Sequence, residues 1–73
     1  MKINIESTSK IVTLSGTPAR VWEGKTERGI PVICFVTRVA VSRTEDASEF
    51  EKDLQEHAAP SPEVAVIDAR MIL

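Results

Sequence analysis

Ile30-Pro31-Val32-Ile33-Cys34-Phe35-Val36-Thr37-Arg38-Val39-Ala40-Val41 is the most apolar and β-branched run in the chain. Val, Ile, Phe and Thr suit a pleated, half-buried surface, and Gly29-Ile30-Pro31 punctuates its start, so the run reads as a β-strand. Pro31 has no backbone donor, which places it at the beginning of the strand or on an edge. Side chains alternate, so Ile33, Phe35, Thr37, Val39 and Val41 share one side while Val32, Cys34, Val36, Arg38 and Ala40 share the other. Both sides are largely apolar and call for cover. A chain of 73 residues supplies little more than one covering layer.

Working back from this run, Gly24 to Gly29 is a polar loop bounded by glycines, suited to a hairpin connection. Ala19-Arg20-Val21-Trp22-Glu23 precedes it as a strand. Ser15-Gly16-Thr17-Pro18 closes another strand, Ile11-Val12-Thr13-Leu14, and Ser7-Thr8-Ser9 reads as a turn after a short first strand in which Ile3 and Ile5 alternate with polar residues. The expectation is an antiparallel meander.

Beyond Val41 the period changes. Ala47, Phe50, Leu54 and Ala58 recur at spacings of three and four, one apolar stripe of a helix. Asp46 with Glu49 matches a capping box, His57 falls in the last turn, and Ala59-Pro60-Ser61-Pro62 stops the helix. From Val64 to Leu73, Ala65, Ile67, Ala69, Met71 and Leu73 alternate with the intervening residues as a final strand. The expected fold is therefore a single α+β domain over residues 1–73: an antiparallel sheet of four to five strands, with one helix packed on one face and placed before the last strand.

Composition narrows the class. Hydrophobic residues make up 42% and mean hydropathy is −0.05, which fits a folded domain. One cysteine forms no internal disulfide or Cys-based zinc cluster, as in a reducing compartment. The first residues lack an apolar signal-peptide core and no apolar run reaches the roughly 18 residues of a membrane span, so a cytoplasmic protein of a bacterial cell is expected, with no membrane partner.

Candidate chemistry is sparse. Cys34 sits mid-strand without a base beside it in sequence, and reads as a buried small hydrophobe rather than a nucleophile. His57 is the sole histidine, so a triad or a multi-histidine metal site would rest on it alone. Asp53 and Glu49 precede it by four and eight residues, a weak cation arrangement set against a plain helix-end histidine. Gly24 to Gly29 lacks phosphate-loop spacing and leads into a strand. No catalytic residue, cofactor or metal site is expected, and the reading is non-enzymatic.

Two surfaces stand out instead. Between Glu45 and Glu56 six acids face only Lys52, a local charge of −5, while the remaining five acids and eight bases give +3. Asp46, Glu49, Asp53 and Glu56 fall along one helical flank. This is either an ordinary solvated face or a negative row that docks on a basic partner, as nucleic-acid phosphates do. The second surface is Arg20, Arg38, Arg70 and Trp22. Arginines and a tryptophan set in an apolar sheet face are typical interface anchors, or else arginine stems lying over a small open sheet. Register decides whether they share a face, since a one-residue slip reverses the parity.

Ala19-Arg20-Val21-Trp22-Glu23-Gly24, the Gly29-to-Val41 run with Thr37-Arg38-Val39 at its centre, and the Pro60-to-Leu73 end together resemble small uncharacterised proteins encoded in phages and prophages of proteobacteria. The resemblance implies an accessory protein of the bacterial cytoplasm. It also implies a binding inhibitor of host machinery, a group that includes small, acidic, non-catalytic anti-CRISPR proteins. The expected function is thus a small interaction module acting by protein–protein binding, with a homodimer as one form of it. The alternative is nucleic-acid binding by the sheet through Arg20, Arg38, Arg70, Lys10 and Trp22, against which stand the acidic balance and the scarcity of stacking aromatics.

Overall fold

Ser15 and Gly16 take positive φ values of 49° and 82°, the geometry of a two-residue type I′ turn whose twist matches the strands it joins. It connects β1 (Ile3–Leu14) to β2 (Thr17–Thr26), and a four-residue loop leads on to β3 (Pro31–Val36). In that loop the Thr26 side-chain oxygen accepts from the backbone N–H groups of Arg28 and Ile30. The three strands form one antiparallel sheet in the order β1-β2-β3. Two short helices follow, α1 (Ala47–Asp53) and α2 (Pro62–Ala65). The computed structural model describes residues 1–42 and 47–67.

The fold remains broadly α+β, but the expected four to five strands with one packed helix give way, among the described residues, to three strands and two small helices. Ser7-Thr8-Ser9 is not a turn. It lies inside one twelve-residue strand, as a bulge between the pairs Ser7↔Trp22 and Ile11↔Arg20. Three β1 residues there oppose Val21 alone, which frees backbone groups from the ladder. Several of these groups find partners outside the ladder. Thr8 is fully buried, its hydroxyl donates to the Val21 carbonyl at 2.7 Å and accepts from Lys10 N, and its own carbonyl accepts from an Arg20 guanidinium nitrogen at 2.9 Å. Ser9 N–H donates to the Ala58 carbonyl and Ala58 N–H to the Ser7 carbonyl, a parallel bridge that ties the chain after α1 to β1.

The long apolar run is strand only as far as Val36. α1 ends at Asp53, short of the predicted stripe through Ala58. There the hydrogen bonds tighten to Gln55 N–Lys52 O and Glu56 N–Asp53 O before the chain straightens into the bridge. His57 therefore lies past the helix, not in its last turn. The predicted final strand begins instead as α2. Ser61 caps it by accepting from Val64 N, Pro62 occupies the first turn, and Ser61 N–H donates to Glu23 Oε2 at 2.8 Å. The remainder of that predicted strand, 68–73, and the capping residue Asp46 lie outside the described residues.

Register divides the sheet into two faces. Val12 pairs with Ala19 and Val21 with Phe35, and on this face α2 and Ile67, two residues past its end, complete the core, with Val12, Ala19, Val21 and Val64 buried and Leu14, Ile33, Phe35 and Ile67 packed around them. Lys10 Nζ donates to the Ala65 carbonyl at the edge of this contact. Ile11, Arg20 and Val36 stand in line on the opposite face, next to Ser7, Trp22 and Cys34. Cys34 is half-buried rather than enclosed. Among the described residues no helix is long and apolar enough to cross a membrane.

Two substitutions test this frame. Thr8→Val keeps the shape but strands the Val21 carbonyl and Lys10 N–H, and chemical denaturation should show a loss of about 1–3 kcal/mol. At Gly24 a β-carbon would fall on the Asn4 carbonyl oxygen and 2.7 Å from Ile5 Cα. Gly24→Ala should therefore part β1 from β2 and destabilise by about 1–3 kcal/mol or more, whereas Gly16→Asn, at the open turn, should stay within about 1 kcal/mol of wild type.

Candidate functional site

The face of the sheet away from α2 carries an open cavity of about 360 Å³. Its sheet side is formed by Ile11, Pro18, Arg20, Trp22 and Val36, and Thr37, Arg38 and Val39 extend it past the end of β3. Phe50, Asp53 and Leu54 of α1 and its following turn supply the other wall, and Ser7 and His57 stand where the bridge joins that wall to β1. Ile11 is 54% exposed, Val39 44% and Leu54 39%, so the apolar lining is open to a ligand rather than filled by the chain's own side chains.

Parity explains the convergence. Arg20 and Trp22 are two apart on β2 and share a face, and their partners Val36 and Cys34 bring β3, with Arg38 two residues beyond its end, to the same side. Arg20, Trp22 and Arg38, read from sequence as one surface, line one groove together with Asp53, read as part of another. The arginine face is not turned away from the helix, because α1 sits over it. The acidic row is correspondingly broken up. Glu49 lies in α1, exposed and off the groove lining, and Glu56 lies beyond the helix, also exposed. Asp46 and Arg70 are outside the described residues.

The polar groups of the groove differ in what they have already spent. Arg20 holds the Thr8 carbonyl, and Lys10, the other cation considered for nucleic acid, holds the Ala65 carbonyl. Trp22 and Arg38 make no side-chain hydrogen bond or ion pair among the described residues. The indole N–H and a whole guanidinium are thus available at the cavity, and both only donate. At its far end Ser7 Oγ donates to the Glu56 carbonyl at 3.0 Å and lies 3.2 Å from His57 Nδ1. The serine and histidine are thus neighbours at the rim of the cavity, with the serine hydroxyl also engaged by a backbone carbonyl. Among the described residues no three His, Cys, Asp or Glu side chains gather as metal donors.

Ser7, Ile11 and Phe50 carry no site signal in the sequence, and His57 carries one only as a weak cation arrangement with Asp53 and Glu49. Phe50 and His57 read as a helix stripe and a helix end, and Ser7 as part of a turn. The bridge between residues separated by about fifty positions creates their neighbourhood. Compared with protein-family models, with curated proteins and with solved structures, the chain matches none.

The two groove arginines should separate under mutation. Arg20→Ala leaves the buried Thr8 carbonyl without its charged donor and should cost about 1.5–3 kcal/mol of stability. Arg38→Ala removes an exposed, unpartnered side chain and should fall within about 0.5 kcal/mol of wild type by the same urea titration.

Proposed function

We propose that this chain is a non-enzymatic interaction module that binds a protein partner in the groove between its sheet and α1. The observation that carries the reading is the convergence of Arg20 and Trp22 from β2, Arg38 from beyond β3 and Asp53 from α1 on one open cavity with an apolar lining. An aromatic body with a free N–H beside arginine in an apolar setting is the composition of an interface anchor. The uncommitted groups of Trp22 and Arg38 are donors, so the complementary segment brings an acceptor: a carboxylate flanked by apolar side chains. Asp53 at the opposite wall sets the direction in which such a segment lies, because it repels the partner's acid from its own side.

Direct nucleic-acid binding draws less from the same geometry. Lys10 and Arg20 are tied to backbone carbonyls, and Asp53 places a negative charge in the groove where phosphates would lie. In the setting implied by the sequence resemblance, the partner would be a component of host machinery in a bacterial cytoplasm, and occupation of the groove would be the inhibitory act.

Selection of a random-peptide display library against the immobilised chain tests the reading. The enriched peptides should share an Asp or Glu beside aliphatic or aromatic residues. Both Arg38→Ala and Trp22→Ala should weaken a synthetic consensus peptide by about tenfold or more, equivalent to about 1.4 kcal/mol or more. Absence of enrichment, or a consensus that binds the Trp22→Ala variant unchanged, would overturn it.

A further inference from the structure

β3 is the terminal strand of the sheet, and among the described residues no strand flanks its outer edge. A terminal strand presents a row of backbone donors and acceptors that templates another strand, and isolated chains blunt such edges with inward charges, bulges or interior prolines. β3 carries none of these. Its register with β2 is continuous from Pro31 to Val36, its proline is confined to the first position, and Val32-Ile33-Cys34-Phe35-Val36 holds five consecutive uncharged residues. All five are only half-buried, although both faces of the neighbouring β2 have cover.

We infer that this edge is the contact between two copies of the chain, with β3 pairing antiparallel to its counterpart about a two-fold axis normal to the sheet. Such an axis keeps each residue on its own face. Val32, Cys34 and Val36 then meet the same residues of the second copy on the groove face, while Ile33 and Phe35 meet theirs on the core face. Self-pairing of this kind sets like against like, which is unfavourable for a charged strand and favourable for an apolar, neutral one. The choice of a second copy over an unrelated strand rests on that self-complementarity. The product is a continuous six-stranded sheet in which the apolar margins of β3 are covered. The two grooves, each reaching Val36 and Val39, open on the same face beside the new junction. This inference does not depend on what the groove binds.

Light scattering coupled to size exclusion, with thiol cross-linking through Cys34, tests it on the full chain. The expected result is a mass twice the 8.0 kDa of one chain and cross-linking by a short bis-maleimide through Cys34, which is lost in Cys34→Ser. Cys34→Lys sets like charges opposite one another at the axis and should halve the mass while leaving the circular dichroism spectrum unchanged. If Cys34→Lys unfolds, the double change Val32→Lys with Val36→Lys puts lysines opposite one another on either side of the axis. A wild-type chain that stays at 8.0 kDa over the accessible concentration range would overturn the inference. So would a dimer that survives a folded lysine variant or resists cross-linking at Cys34.

Discussion

The hydrogen bond from the buried Thr8 hydroxyl to the Val21 carbonyl is the constraint on which the rest of this small structure depends. A bulge of three residues against one would ordinarily leave several backbone groups without partners inside a protein, at a cost of about 1–3 kcal/mol each. Here several are redirected. Thr8 takes the Val21 carbonyl, Arg20 takes the Thr8 carbonyl, and the freed edge of Ser7 and Ser9 reaches out to Ala58. The bulge thereby turns an interruption of the sheet into the attachment point for the chain that follows it.

That attachment divides the second half of the molecule between the two faces. Before the bridge, α1 is held over Ile11, Arg20 and Trp22. After it, Glu23 accepts from the Ser61 N–H and Lys10 donates to the Ala65 carbonyl, so α2 closes the other face and Val64 enters the core. Burial of Val21 and Val64 contributes about 1.5–3 kcal/mol each, and among the described residues Val12 and Ala19 are the other buried apolar side chains. The polar junctions join this small core to the chain around it.

The groove is the result of a helix too short to fill its own face. α1 is seven residues long and none of them is buried, and Phe50 with Leu54 just past its end lines the groove opposite Ile11 and Trp22. A longer helix following the apolar period through Ala58 would have covered Ile11 and Trp22. The backbone of Ala58 is instead committed to the β1 bulge, and that competing set of hydrogen bonds is what ends the helix and leaves the cavity open.

Local sequence pattern suffices for the antiparallel character of the first half, the Ser15-Gly16 turn, the strand character of Val32 to Val36 and the presence of a helix around Phe50. Each of these is written in local pattern: period-two alternation, turn chemistry, or an apolar stripe. Ser61-Pro62-Glu63 also carried a legible helix start, with a cap, a first-turn proline and a first-turn acid, and was overridden by the alternation after Val64. Only the tertiary structure decided that Ser7-Thr8-Ser9 continues a strand, that Arg20, Trp22 and Arg38 share a groove with Asp53, and that His57 meets Ser7. Those outcomes depend on register and on bonds between residues about fifty positions apart, where a shift of one residue sends a side chain to the other face and no window of local sequence contains both partners.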